Sequence, residues 1–328
     1  MDAMTHTVRA LRVHRDLVTD VGAIPAPDIA ENEVRVRVAA AGVCGSDIHA
    51  VQTGAWIDYW PATLGHEVVG TIIESRSPGF VVGTRVAIDS RIPCRACADC
   101  AAAPQLCARL TWLGESRPGG FAEEIVVPAS DVYPFAAGNL PMEVAVLAEP
   151  LAVVLSALAR LPRDAARVLI LGYGPIGALS HIVLRSCGIE VLVAETHPGR
   201  LAAAAARGAT SAASGTGSER VDAAIDAAGY PGSVATAFNA VRRGGTVVVV
   251  ALGDHAIKVS AQELVEKCVT IAPSIGFGDD DIPAALAVLA ASPSSFADVV
   301  SDRIALDELP RRLAEPASTV GKIVVTLA

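Results

Sequence analysis

Chemistry concentrates in three places along this chain of 328 residues. The first is GVCGSDIH (42–49), where Cys44, Ser46, Asp47 and His49 set a thiol, a hydroxyl, a carboxylate and an imidazole within six positions. Two readings of it stand open. Gly42 and Gly45 with Ser46 and Asp47 suit a turn or helix cap, with Cys44 a small core residue. The same groups could equally be a reactive cluster.

The second is a cysteine lobe: Cys94, Cys97 and Cys100 form two CxxC steps sharing a thiol, and Cys107 follows one short loop later. Four thiolates so spaced can close a tetrahedral site around one Zn²⁺ with no position left for substrate, which predicts a structural zinc. Cys187 and Cys268 sit in apolar surroundings and are expected to pack as buried thiols.

The third is RVLILGYGPIG (167–177), a buried-strand pattern followed by Gly172, Gly174 and Gly177 and then by a helix-compatible run. Between a strand and a helix, such glycines allow a tight turn and let a pyrophosphate approach the helix N-terminus, where Pro175 and Ile176 open the helix. The next strand ends at Glu195, 18 positions after Gly177 (195 − 177), where an acidic residue binds the adenosine ribose and repels a 2′-phosphate. NAD is therefore expected rather than NADP, with Arg200 near the adenine end.

The elements that must hold these groups divide in two. After residue 150, strand and helix patterns alternate: 200–209 is helical, 221–230 leads a strand into a glycine turn, SVATAFNAVRRGG is a helix ending at Gly244–Gly245, and TVVVVAL is a buried strand. This predicts a doubly wound parallel sheet of Rossmann type over 151–291. Before residue 150, short alternating strands between Gly and Pro turns predict a β-rich domain, to which 292–328 is expected to return. Overall the fold class is α/β.

Composition removes other classes. Hydrophobic content of 52% and mean hydropathy of +0.46 exclude a disordered chain. A net charge of −9 argues against nucleic acid as a partner. The N-terminus shows no apolar signal segment, and Val144–Leu161 is interrupted by Glu149, Pro150 and Arg160, so neither secretion nor a membrane is expected and a cytoplasmic location is.

Taken together, GVCGSDIH, LGHEVVG (64–70), the cysteine lobe, GGFAEEIVVP (119–128), LAEPLAVV (147–154) and GYGPIG resemble the zinc-dependent medium-chain dehydrogenases, specifically their polyol and threonine dehydrogenase branch, over essentially the whole chain. The resemblance implies a GroES-like catalytic domain, two zinc ions per chain, NAD, and a homodimer or homotetramer. It makes Cys44, His66, Glu67 and Glu149 the candidate ligands of a catalytic zinc, with Glu67 either a ligand or a carboxylate just behind one. Ser46 would take the alcohol proton and His49 pass it on, while Asp47 would orient His66. The implied reaction moves a hydride between NAD(H) and a secondary alcohol or ketone, most simply a polyol, cyclitol or amino-alcohol. An L-threonine 3-dehydrogenase-like enzyme, or a nucleotide-binding relative without catalysis, is the alternative. His6, His14, His181, His197 and His255 lack such settings and are read as structural. Four departures stand out. The last gap in the cysteine lobe is one residue short, and 209–220 is too short and Gly/Ser-rich for the usual helix. Ala50 replaces an aromatic, and SIGFGDDD (274–281) lacks the polar or basic residues that hold substrate hydroxyls in such enzymes, which together weigh against sorbitol itself as substrate. Trp56, Tyr59 and Trp60 lie between the zinc motifs, as pocket lining or simple packing.

Overall fold

The computed structural model describes residues 6–136, 138–212, 220–315 and 319–327. They form two compact units, one of Met1–Glu149 with Gly278–Ala328 and one of Pro150–Phe277. The return to the first unit thus falls at Gly278 instead of 292. The helix Asp281–Ala291 packs on the helix Met142–Ala145 of the first unit, which accounts for the earlier crossing.

The first unit is built on a sheet ordered Val300–Ala305, Lys322–Thr326, Glu33–Val43, Glu67–Ser75, Arg85–Ile88, Val132–Pro134, with Glu124–Pro128 also pairing with Glu33–Val43. All neighbours are antiparallel except the pair Val300–Ala305 and Lys322–Thr326. Along Glu33–Val43 the buried positions first alternate and then become continuous as the strand runs into the core. Val34, Val36, Val38, Ile72, Val86 and Phe121 are shut off from solvent there.

Register decides where the chemistry falls. Gly42 pairs with Glu67 and Val43 with Ile323, so Cys44, Glu67 and Lys322 emerge at adjoining ends of three neighbouring strands. Gly42 must be glycine for this: a Cβ there would lie 2.0 Å from Glu67 Oε2. Cys44 then caps the helix Gly45–Thr53, and its N–H donates to Asp47 Oδ2 at 2.8 Å.

The second unit is a parallel sheet ordered Thr210–Ser211, Glu190–Ala194, Arg167–Leu171, Val221–Asp226, Val241–Val249, Thr270–Pro273. In chain order its strands run 3-2-1-4-5-6, the doubly wound arrangement whose ligand crevice opens beyond the carboxyl ends of the first and fourth strands. The 209–220 departure falls largely on residues 213–219, outside the described residues; Thr210–Ser211 is an edge strand.

Two local expectations are corrected. The helix expected to run to Gly244–Gly245 is Ser233–Ala240, and Val241 already starts the next strand. Val241 is β-branched and fully buried, and burial in the sheet overrides the helical pattern of VRRGG. Cys187 and Cys268 are exposed, not buried. Each ends a helix, Pro175–Ser186 and Ala261–Lys267 respectively, where the chain turns towards solvent. Among the described residues no helix is long and apolar enough to cross a membrane.

Candidate active site

Ligand atoms of Cys44, His66 and Glu67 lie within 4.8 Å of one another. Asp47, itself buried, sets their geometry: Oδ2 accepts the Cys44 N–H, Oδ1 accepts the Gly65 N–H at 3.2 Å, and Oδ1 stands 3.7 Å from His66 Nδ1. The last is a charge contact that turns Nδ1 towards Asp47 and leaves Nε2 for a ligand. Burial opposes the His66 imidazolium, yet Asp47 and Cys44 together hold its pKa well above the ordinary value.

Glu67 is 1% exposed. Its Oε1 accepts from the Lys322 ammonium, which also donates to the Val43 carbonyl at 3.1 Å. Its Oε2 is buried without a partner. A thiol, an imidazole and a carboxylate with one orphaned oxygen form a donor set that suits a zinc ion with an open position, and the residues fit the metal.

Glu149 is not brought into this cluster. Its Oε1 accepts the Ser90 hydroxyl at 2.7 Å. Burial pushes its pKa up to about 7; the Glu67 charge adds to the rise, while His66, Ser90 and Lys322 oppose it. Ser46 is half-buried and His49 exposed on the helix that Cys44 caps. The His49 ring lies 4.9 Å from that of Trp56, which is itself exposed. Tyr59 bridges the backbone of Thr63 through its hydroxyl, at 3.0 Å to both N and O, and Trp60 packs on the core. Both are packing residues.

Cys94, Cys97, Cys100 and Cys107 converge separately. Their sulfurs stand 3.8 Å (94 to 100), 3.4 Å (97 to 100) and 3.9 Å (97 to 107) apart. A tetrahedral ion with ~2.3 Å bonds spaces its sulfurs ~3.8 Å apart, so the lobe fits zinc despite its shortened loop. Amide groups of Cys94 and Arg109 donate to Cys107 Sγ at 3.3 Å, and the Arg109 guanidinium to Cys94 Sγ at 3.3 Å. The Ala96 amide and then Arg109 pull the Cys94 thiol down to about 6, while desolvation and the neighbouring thiols push Cys100 up to about 12.

In the second unit a cavity of about 280 Å³ is lined by Gly172, Gly174, Ala194, Glu195, Arg200 and Tyr230, among others. Gly177 packs the helix on the strand: a Cβ there would lie 2.1 Å from the Gly172 carbonyl oxygen. Beside Gly174, by contrast, there is open space, with Pro175 and Ile176 opening the helix behind it. Glu195 accepts three backbone N–H groups, from Tyr173 (2.8 Å), Thr196 (2.7 Å) and His197 (2.8 Å). Burial opposes its charge, but these donors and then Arg200 hold its pKa below the usual carboxylate value. The glycine turn, the helix N-terminus and the carboxylate that line this cavity fit the chemistry of a dinucleotide.

Three residues with a part in these sites have no mark in the sequence. Lys322 meets Glu67 across 255 positions, Tyr173 supplies Glu195 through a backbone amide, and Tyr230 reaches the cavity from a glycine turn.

Residues 30–137 match the alcohol dehydrogenase GroES-like domain and residues 175–291 the zinc-binding dehydrogenase domain. The chain is 32% identical to D-altritol 5-dehydrogenase of Agrobacterium fabrum, over 87% of this chain and 89% of that one. It is 31% identical to sorbitol dehydrogenase of Bacillus subtilis, over 76% and 77%. Among solved structures, a zinc-binding dehydrogenase of Sinorhizobium meliloti bound to NADP superposes with a TM-score of 0.90 at 27% identity, covering 98% of this chain and 99% of that one. Two metal-type clusters and a Rossmann crevice define a metallo-dehydrogenase. The chain belongs to the zinc-binding dehydrogenase family.

Proposed function

We propose that this dehydrogenase transfers a hydride between NAD(H) and a secondary alcohol of the polyol, cyclitol or amino-alcohol class. The relatives named for altritol and sorbitol support a polyhydroxylated substrate. The observation that carries the reading is the partnerless Oε2 of Glu67 beside Cys44 and His66.

Zinc held by Cys44, His66 and Glu67 would supply a Lewis acid that acidifies the alcohol hydroxyl, and NAD would accept the hydride. The chain's own residues do the rest. Asp47 keeps His66 in one orientation and fixes the Cys44 backbone through the helix cap. Lys322 offsets the Glu67 charge, so the buried carboxylate and thiolate are not left to repel each other. Ser46 takes the hydroxyl proton, and His49, exposed on the same helix face three residues on, returns it to solvent. Glu149, neutral or charged near pH 7, stands beside the cluster as a reserve carboxylate. Glu195 and Arg200 hold the adenosine end of the cofactor. A homodimer or homotetramer in the cytoplasm is part of this proposal; five of the seven cysteines are given to zinc and none is paired in a disulfide, which suits a reducing compartment.

The test is metal analysis together with an NADH absorbance screen of polyols, cyclitols and amino-alcohols. Two zincs per chain with turnover of a secondary alcohol is the result expected. One zinc per chain and no turnover would leave a nucleotide-binding protein with a structural metal.

A further inference from the structure

Trp56 stands where a tryptophan is costly. Its backbone has φ +65°, in the left-handed region that glycine adopts freely and a bulky residue rarely does. It is 43% exposed. The apolar residues that follow it, Ile57, Tyr59 and Trp60, pack against the core of the first unit, and Trp56 does not join them. Neither backbone preference nor core burial accounts for the indole, and a strained residue that the core does not need points to function.

What the indole touches is His49. The two ring centroids stand 4.9 Å apart with their planes inclined at 43°, within the range of an aromatic pair. The turn that carries Trp56 is tied on both sides. Before it, the helix Gly45–Thr53 ends at Gly54, whose N–H donates to the Ala50 carbonyl at 2.8 Å. The Thr53 hydroxyl donates to the His49 carbonyl at 2.7 Å and accepts the Ala55 N–H at 3.2 Å. After it, the Asp58 N–H donates to the Glu115 carbonyl at 3.1 Å, and the Asp58 carboxylate accepts the Ser116 hydroxyl at 2.7 Å. Among the described residues the His49 imidazole takes no hydrogen bond, and the indole is its one ring contact. An exposed side chain without such a contact exchanges rotamers in picoseconds to nanoseconds, whereas a proton-transfer group works from within hydrogen-bond reach of its partner.

We propose that Trp56 is a positioning residue that holds the His49 imidazole in the orientation from which the proton taken up at Ser46 passes to solvent. The inference rests on the Ser46–His49 relay of the reaction proposed above. The backbone strain at Trp56 is then the cost of a fixed relay. Acting through His49, Trp56 governs kcat; an indole that bound the substrate would govern KM instead.

The zinc-loaded protein is assayed with NAD on D-altritol and 1,2-propanediol, and its imidazole C–H protons are followed by NMR, the His49 signal being assigned by its loss in His49→Gln. Trp56→Gly suits the backbone, so its urea midpoint should be no lower than that of the unmodified protein. Its kcat should nonetheless fall about tenfold, part of the roughly 10²–10⁴ that a proton-transfer group supplies, with KM little changed. The His49 signal should move as the ring current of the indole is lost, and Trp56→Phe should restore much of both. In the His49→Gln background, Trp56→Gly should lower kcat by less than about twofold, because the residue it acts through is gone. An unmoved His49 signal, a lowered urea midpoint, or an equal kcat loss with and without His49 overturns the inference, while continued turnover upholds the dehydrogenase reading. A rise in KM at constant kcat makes Trp56 a substrate contact and overturns the inference too. No turnover of either alcohol by the unmodified protein overturns the reading and the relay with it, whatever the His49 signal shows.

Discussion

Lys322 and Glu67 are separated by 255 positions, yet the ammonium of one donates to the carboxylate of the other with both side chains sealed from solvent. Burial works against the Lys322 charge, but Glu67 and then Cys44 raise its pKa above the ordinary value, so it is a cation throughout the working range. The strand Glu33–Val43 lies between theirs and makes the encounter unavoidable, because its Val43 pairs with Ile323 and its Gly42 with Glu67.

Removing one partner of such a pair leaves a buried charge without compensation, at a cost of about 3–5 kcal/mol. Lys322→Met should therefore lower stability by that order and weaken zinc retention together. Urea unfolding and zinc content per chain measure the two effects. A variant with an unchanged urea midpoint would show that Glu67 is satisfied by other means.

What could be read from the sequence was what lies close along the chain. GVCGSDIH, the cysteine lobe and the glycine fingerprint are local patterns, and each fixes a turn or a set of ligands within about a dozen residues. Cys44 with Asp47, and the spacing of Cys94 to Cys107, needed no tertiary information. Lys322 did, since nothing near it announces Glu67. Glu195 was legible as a strand end, but its three backbone donors depend on how two loops fold around it. Cys187 and Cys268 misled because apolar neighbours in sequence do not bury a helix end, and VRRGG because sheet burial of Val241 outweighs helical periodicity.

Ser46 is the one hydroxyl on the helix that Cys44 caps placed between the thiol and His49. Ser46→Ala should lower turnover by about two to four orders of magnitude, the range for a lost proton-transfer group, with zinc content retained. The deficit should shrink as pH rises, because hydroxide takes over the deprotonation. A loss that stays constant from pH 6 to pH 10 would assign Ser46 to packing.

The cysteine lobe predicts a different phenotype. Cys97 lies within 3.9 Å of two other sulfurs, so Cys97→Ser opens the tetrahedron and the lobe loses its metal. The helix Ala98–Ala102 buries no residue and has little else to hold it. Melting temperature and soluble yield should fall, and zinc content should drop by about one per chain. Unchanged melting with unchanged zinc would remove the structural site.

His181 gives the second unit a pH dependence. It is buried, its Nδ1 is 2.7 Å from the Tyr173 hydroxyl, and its Nε2 has no partner. Burial lowers its pKa to about 4, with the charges of Arg185 and Arg207 adding to the effect. A depressed pKa means the folded state binds the proton less readily than the unfolded one. The contribution is therefore complete above about pH 6.5, the unperturbed value for histidine, and is lost as pH falls towards 4. His181→Leu should show a smaller stability difference between pH 7 and pH 4.5 than the unmodified protein, measured by urea unfolding. Equal differences would assign the acid sensitivity to other groups.

Cofactor choice turns on Glu195, and the geometry changes how it should be counted. A carboxylate offers about four acceptor sites, and three are already taken by backbone amides. That leaves room for one strong bond to a ribose hydroxyl, worth about 1.5–3 kcal/mol as a charge-assisted contact. With NADP the same carboxylate, held ionised by those amides, would face a phosphate of roughly −1.5 to −2 charge. Arg200 lines the same cavity and would offset part of that repulsion. Attraction lost plus repulsion gained gives an expected preference for NAD of at least about a hundredfold in kcat/KM, or about 2.7 kcal/mol. The NADP-bound relative at 27% identity makes this a real choice within the fold. Glu195→Ser should narrow the ratio mainly by weakening NAD, and it should also loosen the Tyr173 and His197 backbone that the carboxylate ties together. Adding Arg200→Ala to Glu195→Ser should then cost NADP more than NAD. Comparable kcat/KM for the two cofactors in the unmodified protein would show that the amides exhaust Glu195 and that the ribose is read elsewhere.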